Sequence, residues 1–302
     1  MKYRTFAQVV ALFALTGVGI GGWLWTKSRA AETQIATLEQ ETARLLAEDR
    51  LDREGIGAHL RALAKHASVE SEPRLIRCRA RLELALDRPQ KAVELVESLV
   101  SRADASAEDL ALASEIHGRL HAFGGRLDDA FRAMSAAERA SEKLGDDAKL
   151  LFKAWQYGIR AEHADDATKI AERLERVAPG SLENKVVTAL RKFDRSKVEA
   201  LPGLLDLDRE LGRFEPELSV AIVTLELQNG DESALADAVD RVKLGLRALP
   251  TSKELRHVAA VAFHARGDQA QRDLQLRWLL ENAADDARVP TWRQLLQAPA
   301  GK

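Results

Sequence analysis

Three alanines constrain this chain most. Ala92, Ala130 and Ala167 hold equivalent places in DRPQKAVELVESLV (87–100), GRLDDAFRAMSAAERA (125–140) and HADDATKIAERLERVAPGS (163–181), and lie 38 and 37 residues apart. A recurrence longer than one helix and shorter than a domain marks stacked supersecondary units, none of which buries its apolar face without its neighbours. A fourth stretch, GDQAQRDLQLRWLLENA (267–283), follows the same plan. Beyond residue 30 the chain is rich in Ala, Leu, Glu and Arg, with few β-branched runs, and nearly every segment spaces apolar residues three or four apart. Leu151, Trp155 and Ile159 share one helix face, as do Leu255, Val258 and Ala262, and polar breaks every 12–18 residues predict antiparallel helix pairs with short connections. The recurring alanine has a steric reason. Two helix axes approach to about 8–10 Å only where the touching side chains are small.

These stretches resemble tetratricopeptide repeats, in which the second helix follows a Gly-Asp/Asn/Arg turn, carries a small Ala where paired helices touch, and has a second small residue seven positions on. Gly125, Arg126, Ala130 and Ala137 match that pattern, as do Gly267 and Asp268, with Pro179 and Pro250 as closing prolines. Arg272 stands where the small residue belongs, and Leu99 and Leu174 replace the later one. The resemblance spans 70–285 and weakens over 194–216, where Pro202, Gly203 and Gly212 interrupt the period. It implies an all-α, antiparallel helix-hairpin α-solenoid whose concave groove binds peptide segments or partner helices.

At the other end, Thr5–Thr26 is 22 residues without a charge, which as a helix spans about 30 Å, the hydrocarbon thickness of a bilayer. A cleaved secretory signal has a shorter apolar core, of about 7–15 residues, and small residues at the cut. Here Lys27 and Arg29 sit inside the would-be cleavage site beside Ser28 and Ala30, while Trp23 and Trp25 occupy interfacial positions, so the expectation is a retained single-pass anchor. Lys2 and Arg4 nearly balance Lys27 and Arg29. The short basic start still reads as an export signal, placing the bulk of the chain in the periplasm of a bacterial inner membrane. Gly17 and Gly21 form a GxxxG that would let two anchors pack. The predicted organisation is a tail at 1–4, the membrane helix at 5–26, a juxtamembrane helix or first helical pair at 27–69, helical repeats at 70–285 and a C-terminal tail at 286–302. Ile35, Leu38 and Leu45 fall near heptad spacing, but two heptads are short of a coiled coil. The stretch 30–50 is therefore expected to be the solenoid's first helix, paired with 58–67.

A balance of 45 basic and 47 acidic residues leaves no positive excess to hold nucleic acid. The single Cys78 excludes an internal disulfide and reads as a small buried apolar residue. Seven histidines are scattered with no HExxH; His117 and His121 share a spacing of four, an incomplete metal site. No glycine-rich phosphate loop or GxSxG is present outside the anchor, and the doubled aspartates 128–129, 146–147, 165–166 and 285–286 fall at expected helix boundaries, where acids suit the positive dipole end. No cofactor is implied. The groove implied by the resemblance would carry Arg74, Arg77, Arg81, Arg119, Lys149 and Arg160, a basic lining suited to an acidic segment or a C-terminal carboxylate. The resulting expectation is a membrane-anchored interaction scaffold or accessory subunit of a membrane complex, without chemistry of its own. Alternatives are a homodimer built through the anchor and juxtamembrane helix, a cell-envelope hydrolase using carboxylates from separate helices, and a receptor facing the cytosol.

Overall fold

The computed structural model describes residues 29–48, 52–66, 68–194 and 197–298, and every regular element among them is helical. Among these residues no helix is long and apolar enough to cross a membrane. The expected span 5–26, with Gly17, Gly21, Trp23 and Trp25, lies outside them.

The chain divides after Arg102 into two compact units. The first holds α1 (29–47), α2 (Arg53–Ala64), α3 (Pro73–Ala85) and α4 (Pro89–Val100). Its core joins Ile35 and Leu45 of α1 to Ile56 and Leu63 of α2 and to Leu75, Cys78 and Leu82 of α3. The stretch expected to open the helical stack does pair with the next helix. Thr42 and His59 meet at 3.0 Å across that pair, out of solvent. Cys78 is buried, and loss of hydration pushes its thiol above the ordinary value. Arg74 of α3 reaches back to α1, where its Nε donates to Glu39 at 2.8 Å and its guanidinium also meets Glu32.

The second unit begins with α5 (Ala107–Gly124) against α6 (Leu127–Lys143), and α7 (Ala148–Arg160) against α8 (Ala164–Val177). It continues through α9 (Leu182–Arg191), a 3-10 turn (Val198–Ala200), α10 (Leu201–Leu211) and α11 (Pro216–Asn229). It closes with α12 (Glu232–Ala248), α13 (Lys253–Ala265), α14 (Gln269–Asn282) and α15 (Val289–Gln297). Hairpin starts carry legible caps. Ser106 and Asp109 form a reciprocal capping box on α5, and Asp147, Ser181, Ser252 and Asp268 each accept from a first-turn N–H of the helix that follows.

The alanine register holds physically. Ala92, Ala130, Ala137 and Ala167 are all at most 1% exposed. Where α7 crosses α8, a Cβ on Gly158 would stand 3.1 Å from that of Ala167 and 3.3 Å from its Cα, so neither position tolerates bulk.

Two departures from expectation lie at the C-terminal end. Residues 286–302, read as a tail, contain α15, which docks on α14 through the fully buried Trp292. The Trp292 indole N–H donates to His257 Nδ1 at 3.1 Å, so this helix buries its one large ring with its polar edge satisfied. Arg272, at a site expected to be small, is 2% exposed. Its guanidinium donates to Asp273 at 2.8 Å and to the Ala298 carbonyl beyond α15 at 2.8 Å, so it ties down the end of the chain instead of leaving room for close helix approach.

Candidate functional site

Successive hairpins of the second unit turn until the C-terminal end of α5 meets the connection between α12 and α13. Ala122, Leu249 and Leu255 form a small buried cluster at that junction. Gly125, which ends α5 with φ 68°, makes the meeting possible in two ways. It adopts the left-handed conformation without strain, and any Cβ there would press on Thr251 at 3.3 Å. Thr251 Oγ1 in turn donates, in a shared hydrogen bond, to the carbonyls of His121 (3.1 Å), which also accepts from the Gly125 N–H, and Ala122 (2.9 Å) at the end of the helix.

Beside this junction a cavity of about 730 Å³ opens, lined by the ends of α5, α7 and α14, the starts of α6, α11 and α13, and the connection before α13. Its floor is ionic. Arg160, in the last turn of α7, forks onto Glu217 in the first turn of α11, with Nε–Oε1 2.7 Å and Nη2–Oε2 3.1 Å. Burial works against the guanidinium charge, yet the Glu217 carboxylate more than offsets it and holds Arg160 above its ordinary pKa. Gln156 donates to Glu217 at 3.0 Å and also to Glu215, and Glu215 accepts from Arg213 at 2.7 Å. Burial raises the Glu215 carboxyl, against these two donors. Lys253 binds Glu162 at 2.8 Å. His121 donates from Nδ1 to the Arg126 carbonyl at 3.0 Å, and burial lowers its pKa, which favours the neutral ring. Two bases, Arg160 and Lys253, therefore face four acids: Glu162, Glu217, Glu254 and Asp285.

The lip is apolar. Phe123 is 58% exposed, Ile159 45% and Leu127 43%. Phe131, one helical turn beyond Leu127, continues the strip and packs its ring at 4.6 Å from that of His163. Large apolar side chains gathered at a concave rim are what a docking surface presents.

Of the six cations read from sequence, Arg160 lines the cavity. Arg119 is exposed on α5, its guanidinium 6.0 Å from the Phe123 ring centre, and Lys149 is exposed in the first turn of α7. Arg74, Arg77 and Arg81 belong to α3 in the first unit; Arg74 is bound to α1, Arg77 is half-buried and Arg81 exposed. His117 Nδ1 stands 3.7 Å from Asp129, and among the described residues no three His, Cys, Asp or Glu side chains converge as a metal would need. Sequence reasoning missed Phe123, Leu127, Glu254 and Asp285, which only the turning of the unit assembles. The one local signal was Phe123 placed directly before the Gly124–Gly125 break, where a helix end rarely needs a large ring.

No family model matches the sequence, and no curated protein matches it. Among solved structures the chain is similar to a tetratricopeptide repeat protein from Parabacteroides merdae, with TM-score 0.50 and 12% identity over 88% of this chain and 98% of that one. Yeast Tom70 aligns with TM-score 0.34 and 16% identity over 81% of this chain and 58% of its own. The first likeness is one of fold: stacked helical hairpins of the tetratricopeptide type.

Proposed function

We propose that this chain is a protein-interaction scaffold that docks a segment of a partner protein in the cavity of its second unit, and that the uncharged stretch 5–26 tethers it to a bacterial inner membrane with the helical units in the periplasm. The observation that carries the docking reading is the exposed apolar lip of Phe123, Leu127 and Ile159 over a floor whose charges are already partnered. Such a surface binds without chemistry: it offers area to bury and fixed dipoles to set register. The tether rests on the length of 5–26 and on Trp23 and Trp25 at its end.

A photo-activatable residue at Ile159, irradiated in native membranes, should trap one or a few protein partners, while the same residue at Leu274, exposed on α14 outside the cavity lining, should not. Equal trapping at both positions would remove the docking reading. The tether is tested separately. Carbonate washing should leave the full chain in the membrane pellet, and recovery of a mature chain beginning near Ala31 in the wash would refute it.

A further inference from the structure

The resemblance to tetratricopeptide repeats implies an acidic guest, because six cations would lie along the supposed groove. The folded cavity argues the opposite. Its two cations are spent internally: Arg160 is forked onto Glu217, and Lys253 holds Glu162. An arriving carboxylate would have to displace a carboxylate already in place, at no gain in charge. Beyond these pairs the lining keeps Glu254, 55% exposed, 3.4 Å from Arg288 and near enough to Lys253 to add to the acidic field on it, and the exposed Asp285. The polar lining is therefore anionic by two charges, with neutral His121 adding nothing, and the apolar lip stands beside it.

On the docking reading above, we infer that the guest is a basic amphipathic segment of a partner protein: apolar side chains one helical turn apart that settle on Phe123, Leu127 and Ile159, with Lys or Arg alongside that approach Glu254 and Asp285. A helix laid into a groove presents just such a stripe at i, i+3, i+4 and i+7. A space of about 730 Å³ lies within the range of about 300–1,000 Å³ that encloses compact ligands and the anchoring side chains of larger ones.

The probes are two fluorescein-labelled 18-residue peptides with leucine at the same stripe positions, one carrying lysine elsewhere and the other glutamate. Each is titrated by anisotropy against the full-length chain in mild non-ionic detergent, with detergent alone as blank. The lysine peptide should bind about tenfold or more tighter than the glutamate peptide, and less tightly as salt rises. Glu254→Lys with Asp285→Lys should weaken it about tenfold, which is about 1.4 kcal/mol shared between two exposed ion pairs. Phe123→Ser with Ile159→Ser should weaken both peptides. All four side chains are exposed, so the far-UV circular dichroism should not change.

If the serine variant loses binding while the glutamate peptide binds as well as the lysine one, or while the charge reversals change nothing, the cavity docks segments but the basic guest is wrong. If neither peptide binds, or binding ignores the serine variant, the docking reading falls with it.

Discussion

Glu226 supplies a sharp test of how this fold treats charge. It lies on α11, is 4% exposed, and its Oε2 has no hydrogen-bond partner among the described residues. The cation nearest in effect, Arg241 of α12, binds Asp208 of α10 through its Nη1 at 2.8 Å, while its Nε is buried without an acceptor among the described residues and makes no hydrogen bond to Glu226. Burial therefore dominates and pushes the Glu226 carboxyl up to about 7, with Asp237 and Asp208 acting in the same direction and Arg241 only partly opposing them. The folded chain consequently holds a proton on Glu226 between the ordinary glutamate value of 4.5 and about 7, where the unfolded chain does not. In that window stability falls as pH rises, by about 1.4 kcal/mol per pH unit, or about 3 kcal/mol in all, and above it the loss is complete.

Glu226→Gln keeps the shape of the protonated side chain and removes the ionisation. At pH 8 it should stabilise the region by about 2–3 kcal/mol, and at pH 5 by less than about 1 kcal/mol. Stacked hairpins need not unfold as one unit, so the readout should be local. Amide exchange of α11 and α12, corrected for the intrinsic pH dependence, should slow about 30- to 150-fold at pH 8 in the variant and only a few-fold at pH 5. An equal gain at both pH values would mean that packing rather than ionisation is responsible. A loss at pH 8 would mean that the charged carboxylate is stabilising after all.

Other substitutions probe the helix contacts and the floor of the cavity. Ala130→Leu, at a fully buried site, should overpack α6 against its partner and cost about 1–3 kcal/mol, visible in a thermal melt. A Cβ on Gly118 would fall 2.0 Å from Tyr157 Oη and 2.4 Å from its Cζ, so Gly118→Ala should destabilise despite the gain of about 1 kcal/mol in helix propensity. In a Tyr157→Leu background the same change should turn neutral or favourable, and unchanged destabilisation there would acquit the ring. Glu217→Ala strands the Arg160 charge and should cost about 3–5 kcal/mol by urea denaturation. Arg160→Met with Glu217→Leu should recover most of that loss.

What could be read from sequence was what local physics decides. The alanine register held because helix contact is a short-range steric matter, and each alanine carries its own constraint wherever the hairpin sits. The pairing of α1 with α2, the buried Cys78 and the doubled aspartates at the starts of α6, α7 and α8 were legible for the same reason. The C-terminal helix was not. Val289–Gln297 is nine residues, about two and a half turns, too few for a 3.6-residue period to rise above chance, and its anchor Trp292 is one residue whose pocket on α13 and α14 exists only after folding. Arg272 was unreadable in turn, since its acceptor on Ala298 lies past a helix the sequence did not announce.

The candidate site failed to read for a more general reason, and the reason bears on what the protein binds. Counting cations on one predicted face treats each as available, but availability is a difference between charges brought together from distant segments. Glu217 follows Arg160 by 57 residues and Lys253 follows Glu162 by 91, and those separations close only because the second unit turns far enough for α7 to meet the starts of α11 and α13. Where the turn closes, the contact is made by Gly125, Thr251 and the carbonyls that end α5, none of which carries charge. If that closure is what holds the ion pairs together, an uncharged contact decides which charges the cavity presents. Gly125→Val, strained at φ 68° and crowding Thr251, should loosen that contact, free Arg160 and Lys253 from their acids, and shift peptide preference toward the glutamate probe. If the preference survives while exchange at α5 and at the connection before α13 quickens, the sign is set by the residues themselves and not by the closure.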